Sequence, residues 1–196
     1  MITKEYADFS WQQTEQLLSI DSPTGYTDYA ALWLKSSFEM LGFPASITAK
    51  GGVLVDLGGE NENDALLLAA HTDTLGAMVA EVKGNGNLRL TPLGGMNANN
   101  AEAENVRIYT RGGKVIDGTL QLCNASVHVN GDYSSAKRSF DTTEVVLDED
   151  VQSKDDVLAL GIMPGDIVAF EPRTRITESG YIKSRFLDDK LSVGIL

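Results

Sequence analysis

Ala65-Leu66-Leu67-Leu68-Ala69-Ala70-His71-Thr72-Asp73-Thr74-Leu75-Gly76 is an unbroken apolar run that ends in a histidine and an aspartate separated by one residue. Short, continuous apolar runs belong to central strands covered on both faces. Residues 65–70 therefore predict such a strand in an α/β sheet. In open α/β sheets, ligands gather at the carboxyl ends of the strands. An imidazole placed there can bind a metal, and a nearby carboxylate can orient it. Far downstream, Phe186-Leu187-Asp188-Asp189-Lys190 sets two adjacent carboxylates after a short apolar element, at what reads as a helix start. Together the two stretches point to a metal-dependent hydrolase.

Working outward, residues 4–20 carry Tyr6, Phe9, Leu17, Leu18 and Ile20 at the spacing of an amphipathic helix. Asp21-Ser22-Pro23-Thr24-Gly25 breaks it. Thr27 or Asp28 can cap a second helix running to Leu41, with Ala31, Leu34, Phe38 and Leu41 on one stripe and Gly42 as its stop. Strand-like runs follow at 45–49, 53–57 and 65–70, with Gly51-Gly52 and Gly58-Gly59 as turns. After Gly76 short strand candidates (78–82, 87–91, 106–110, 114–116, 167–170) alternate with glycine turns, the pattern of a small β-barrel or sandwich. One helix is expected inside it over 153–160, closed by Gly161 and Pro164. Residues 130–143 read as a loop. A strand-like pattern returns over 181–187, and Asp188 then opens a helix bearing Leu191, Ile195 and Leu196. The expected division is residues 1–76 as the first part of an α/β catalytic domain, 77–175 as an inserted β domain, and 176–196 as the start of the second catalytic part. Because the apolar pattern runs up to Leu196, the expectation is that the chain is the N-terminal part of a longer protein.

Composition narrows the function classes. The net charge of −12 repels phosphate backbones and excludes a nucleic-acid partner. A single cysteine, Cys123, forbids an internal disulfide and suits a reducing cytosol. Cys123 lies in a strand-like stretch and reads as a structural side chain. His128, alternating with valines, reads as structural or surface. The N-terminus has no signal-peptide run, and no stretch approaches the ~20 apolar residues of a membrane span, so a cytoplasmic protein is expected. Gly94-Gly95 and Gly112-Gly113 are turns rather than phosphate loops. Trp11 and Trp33 are expected to pack, and Asp148-Glu149-Asp150 to be solvated.

A dinuclear site for amide hydrolysis holds two cations about 3.5–4 Å apart, with a carboxylate bridging them and a histidine ligating one. Asp188 suits the bridge and His71 the terminal ligand. Asp73 lies on the same side of an extended chain as His71, where it can hold the imidazole or a water. Zinc suits imidazole plus carboxylate, with cobalt or manganese as alternatives.

These motifs resemble those of the metallo-aminopeptidases of family 42. That family includes glutamyl aminopeptidase and the tetrahedral, dodecameric aminopeptidases, and members have also carried an endoglucanase label. Asp21-Ser22-Pro23-Thr24-Gly25-Tyr26 resembles the family's early helix junction, and residues 70–76 its first metal motif. Leu90-Thr91-Pro92-Leu93-Gly94-Gly95 is similar to the entry to its inserted domain. Leu160-Gly161-Ile162-Met163-Pro164-Gly165-Asp166 is similar to a late turn there, and Leu187-Asp188-Asp189-Lys190 to its bridging-aspartate motif. The resemblance implies a phosphorylase/hydrolase-like zinc-peptidase catalytic domain interrupted by a small β-barrel dimerisation domain. It implies two divalent ions, with His71 ligating one, Asp188 bridging both, Asp73 as the catalytic supporting carboxylate and Asp189 behind them. It implies peptide substrates, and a dimer that builds a larger particle. The family's catalytic Glu-Glu pair, a further Asp ligand and a distal His fall beyond the equivalent of Leu196. The chain alone is thus expected to bind metal weakly and to be inactive, and Glu102, Glu104 and Glu144 are not expected to substitute as the base. Three readings stay open: an aminopeptidase, a related deacylase or carboxypeptidase, and a non-catalytic assembly fragment.

Overall fold

The computed structural model describes residues 3–61 and 63–196. The chain forms two compact units. One runs up to Thr74 and resumes over Pro172–Leu196; the other is the continuous stretch Leu75–Glu171. Among the described residues no helix is long and apolar enough to cross a membrane.

In the discontinuous unit, α1 (Lys4–Leu18) and α2 (Asp28–Met40) stand where the 3.6-residue spacing places them. Gly42, at φ +91, ends the second. β1 (Ala45–Ile47) and β2 (Val53–Val55) form an antiparallel ribbon whose turn uses Gly51, at φ +83. The core of this unit is made by Leu17, Leu18, Ala30 and Ala31, all buried. The expected strand over 65–70 is not formed. The segment has no regular secondary structure, and Leu66, Leu67 and Leu68 are 84%, 79% and 57% exposed. An apolar run becomes a central strand only when ladders pair its backbone and layers cover its faces. Among the described residues no strand does either.

The last helix of this unit packs on α1 through a close approach. A Cβ built on Gly194 would lie 2.0 Å from the Thr14 Oγ1 atom and 3.0 Å from the Thr14 backbone nitrogen. Gly194→Ala is expected to cost about 2 kcal/mol by overpacking. Thr14→Ala should recover only part of that, because the backbone contact stays; thermal unfolding of the single and double variants measures both.

The continuous unit is a closed barrel. β3 (Gly76–Val82), β4 (Leu88–Leu93), β5 (Asn105–Tyr109), β6 (Val115–Leu122), β7 (Thr143–Leu147) and β8 (Ile167–Phe170) pair in the order β3-β4-β7-β6-β5-β8, every pair antiparallel. Inward residues alternate with outward ones, so Ile116, Leu120 and Leu122 of β6 join Val79, Leu90, Val106, Ile108, Val145, Val168 and Phe170 inside. β7 begins where the polar loop was expected to end. α3 (Lys154–Leu160) is closed by Gly161 at φ +98. At its start Ser153 and Asp156 form a reciprocal capping box. The Ser153 hydroxyl and the Gln152 N–H bind the Asp156 carboxylate and hold it below the usual carboxylate range.

Two smaller expectations change. His128 lies in an exposed turn rather than a strand. Cys123 sits just past β6 and is exposed, because the strand ends one residue earlier.

Candidate functional site

His71 and Asp73 precede Thr74, whose backbone is pinned by the loop that follows α1. Pro23 and Thr74 form a parallel bridge. The Thr74 N–H donates to the Ser22 carbonyl at 2.8 Å and the Thr24 N–H to the Thr74 carbonyl at 3.1 Å. The buried Ser22 hydroxyl donates to the Thr72 carbonyl at 2.7 Å. One bridge, flanked by these bonds, thus fixes the chain that carries both side chains.

Asp188 arrives from the other end of the sequence. β9 (Arg175–Ile176) and β10 (Ile182–Lys183) make a short hairpin, where a longer strand over 181–187 was expected. Phe186 then takes a left-handed conformation at φ +66, and the Asp188–Asp189 peptide is cis. α4 (Leu187–Ile195) has non-helical backbone at Asp188 and Asp189, so both carboxylates lie ahead of the regular helix rather than within its first turn. Lys190 anchors that helix from inside. Its residue is 1% exposed, and its ammonium donates to the carbonyls of Leu17 and Ile20.

The structure brings His71, Asp73 and Asp188 together. The His71 Nε2 atom is 3.2 Å from an Asp188 carboxylate oxygen across 117 positions of sequence. The His71 Nδ1 atom is 3.1 Å from Asp73 Oδ1 and 3.2 Å from the Asp73 carbonyl oxygen. Asp73 Oδ2 accepts a 2.7 Å hydrogen bond from the Thr24 hydroxyl. Burial pulls the His71 pKa down, but the bonds and charges of Asp73 and Asp188 outweigh it, and the net shift is upward. The Asp188 side chain is 95% exposed, so it is open to an incoming ion or substrate. Asp189 is half-buried. Among the described residues no group of three or more His, Cys, Asp or Glu side chains is placed to enclose a metal.

The glutamates of the barrel are engaged elsewhere. Arg138 Nε donates to Glu102 at 2.7 Å. The buried Glu144 carboxylate pairs with Lys83 and accepts from the Asn87 amide at 2.8 Å. Partial burial of the sulfur, and then the charge of Glu144, push the nearby Cys123 thiol up, which disfavours the thiolate a nucleophile needs. The sequence places Ser22 and Thr24 in a helix breaker and gives Lys190 no role of its own. A serine and a threonine inside a helix breaker look like turn punctuation until their distant partners are known.

The sequence profile of the M42 glutamyl aminopeptidase family matches residues 51–196. The chain is 42% identical over 182 residues to the protein YhfE of Bacillus subtilis (strain 168), covering 93% of this chain and 53% of that one. Among solved structures it is similar to the aminopeptidase APDkam598 of the archaeon Desulfurococcus kamchatkensis. The TM-score is 0.83 at 22% identity, covering 97% of this chain and 51% of that one. It is also similar to the TET1 peptidase of Pyrococcus horikoshii, described as assembling into a tetrahedron or a large octahedral shell. There the TM-score is 0.77 at 22% identity, covering 95% of this chain and 53% of that one. The chain thus spans about half the length of the relatives it matches. A family profile that covers both the His71–Asp73 and the Asp188–Asp189 motifs, together with the 42% identity to YhfE, establishes that this chain belongs to the M42 glutamyl aminopeptidase family.

Proposed function

We propose that this chain carries the first two metal ligands of a dinuclear aminopeptidase, His71 and Asp188, with Asp73 as the catalytic supporting carboxylate and Asp189 behind them. The observation that carries the reading is the 3.2 Å approach of His71 Nε2 to Asp188. Two donors of one tetrahedral ion, each about 2.1 Å from it, stand about 3.4 Å apart, so the pair fits a shared cation. Asp73 occupies Nδ1, which leaves Nε2 as the donor nitrogen. The exposed Asp188 has a second oxygen available to bridge. Zinc is the ion proposed, with cobalt or manganese able to replace it. When bound, two such ions polarise the scissile carbonyl and lower the pKa of a bound water.

The chain's own residues bind and orient. His71 and Asp188 hold cations at the open edge of the site, and Asp73 fixes the imidazole. The substrates proposed are peptides with free N-termini, and the residues that select them lie outside the pair described here. The barrel is proposed as a domain inserted into the catalytic one that mediates homo-oligomer contacts, dimers building a larger particle. Among the described residues no third ligand and no glutamate joins this pair, so these residues by themselves are proposed to bind metal weakly.

Titration with Co2+ followed by visible absorption tests the ligand pair. His71→Ala and Asp188→Ala should each weaken binding at least tenfold, while His128→Ala leaves it unchanged. Binding should also weaken as pH falls through the raised His71 pKa, because proton and metal compete for Nε2. Equal Co2+ affinity in wild type and His71→Ala would remove the metal reading.

A further inference from the structure

We infer that Thr24 is a positioning residue of this site: its hydroxyl fixes the Asp73 carboxylate, and through it the His71 imidazole. The inference rests on the metal reading of His71 given above. Asp73 uses its two oxygens differently. Oδ2 accepts from the Thr24 hydroxyl at 2.7 Å, and Oδ1 faces His71 Nδ1 at 3.1 Å. With one oxygen tied, the plane of the carboxylate is set, and Oδ1 is aimed at the ring. The Asp73 carbonyl oxygen supplies a second acceptor for the same nitrogen at 3.2 Å. Both acceptors favour a proton on Nδ1, while the Asp188 carboxylate 3.2 Å from Nε2 favours one on that nitrogen, so the Asp73 tie sets how the ring proton is shared between the two.

The tie has a rigid base. Ser22 is fully buried, Thr74 is 5% exposed, and the Pro23–Thr74 bridge joins their two segments. Proline fixes its own φ at this bridge, so the residue after it leaves in a restricted direction. A threonine that merely closed a turn would bond within its own loop. The Thr24 hydroxyl instead reaches a carboxylate 49 positions away. The Thr24 hydroxyl also lies 3.4 Å from the Thr74 carbonyl, but its short bond is the one to Asp73, and it is through Asp73 that it bears on His71. Without it, a carboxylate that is 43% exposed would be free to turn toward water, and the imidazole would lose its orienting partner.

The test uses long-range 1H–15N spectra of the full chain, recorded above the pH at which His71 titrates. Only two histidines are present, and His128→Asn assigns the other. In the metal-free wild type Asp73 and Asp188 compete for the ring proton, and the Nδ1-H to Nε2-H ratio measured there is the reference. Thr24→Val, an exposed and nearly isosteric change, should lower the Nδ1-H to Nε2-H ratio about fivefold, the effect of one hydrogen bond. It should also weaken Zn2+ binding, read from the same spectra, about tenfold at an unchanged melting temperature. Thr24→Ser keeps the hydroxyl and should keep both values. An unchanged tautomer ratio in Thr24→Val, or loss of the wild-type ratio in Thr24→Ser, overturns the inference. If the ratio falls as expected but Zn2+ moves no His71 signal in wild type, the imidazole is positioned by Thr24 and it is the metal reading that fails.

Discussion

Gly118→Ala lowers the stability of the barrel by about 3 kcal/mol, the upper end of what overpacking costs. A Cβ at position 118 would lie 2.7 Å from the Val146 carbonyl oxygen and 2.8 Å from a Val145 methyl. The first of these is backbone and cannot swing aside. Gly118 pairs with Leu147 of β7 on one side and Val106 of β5 on the other. A shift of β6 that relieves one neighbour compresses the other. In a closed sheet no free edge absorbs the difference. For a domain of about 100 residues, a loss of this size lowers the melting temperature by roughly 12–20 °C. Scanning calorimetry measures it, with Val115→Thr as the control at an exposed position of the same strand. A loss below about 1 kcal/mol would show that β6 and β7 can separate without cost to the barrel.

Lys190→Met changes how stability depends on pH. Burial pulls the Lys190 pKa from 10.5 to about 8, and Asp21 opposes the shift without cancelling it. Below pH 8 the lysine is protonated in both the folded and the unfolded chain, and the fold bears the full cost of burying a charge. Between about 8 and 10.5 the unfolded chain still holds the proton that the folded chain has released. Stability therefore rises with pH across that window, the opposite of the usual lysine that gains an acidic partner. By pH 10 the rise attributable to Lys190 is on the order of 2–3 kcal/mol. Methionine has a similar volume and no charge, so it removes the pH term. It also removes the donor to the carbonyls of Leu17 and Ile20 at the end of α1. Urea unfolding at pH 7 and pH 10 should show wild type gaining on the order of 2–3 kcal/mol relative to Lys190→Met. Parallel pH profiles would mean that the ammonium is solvated and not buried.

The helices were legible because each carries its signals within a few residues. The α1 stripe, the Gly42 stop and the Ser153 start of α3 all act within one or two turns of chain. Most barrel strands were legible for the same reason, since period-two alternation and glycine turns are local. β7 was not, because Thr143–Leu147 is buried along nearly its whole length and lacks the alternation that marks a half-buried strand. The run over 65–70 failed for the opposite cause. Its residues read as a buried strand, yet a strand is a property of its neighbours as well as of its own sequence. The three leucines stand in solvent because, among the described residues, nothing pairs with or covers them.

The site divides along the same line. Residue type and order singled out His71, Asp73 and Asp188 as candidates, and the resemblance to a known family gave them their expected roles. Spacing could not show that His71 and Asp188 meet at 3.2 Å, nor that Asp73 leans on Thr24 and α4 on the carbonyls of α1. Those contacts join segments 49, 117 and 173 positions apart, and a hydrogen bond reads distance in space, not in sequence. Sequence by itself determined the chemistry on offer and the local elements that carry it. Tertiary structure alone decided which donors face which acceptors, because loop closure and burial, not local preference, choose the partners.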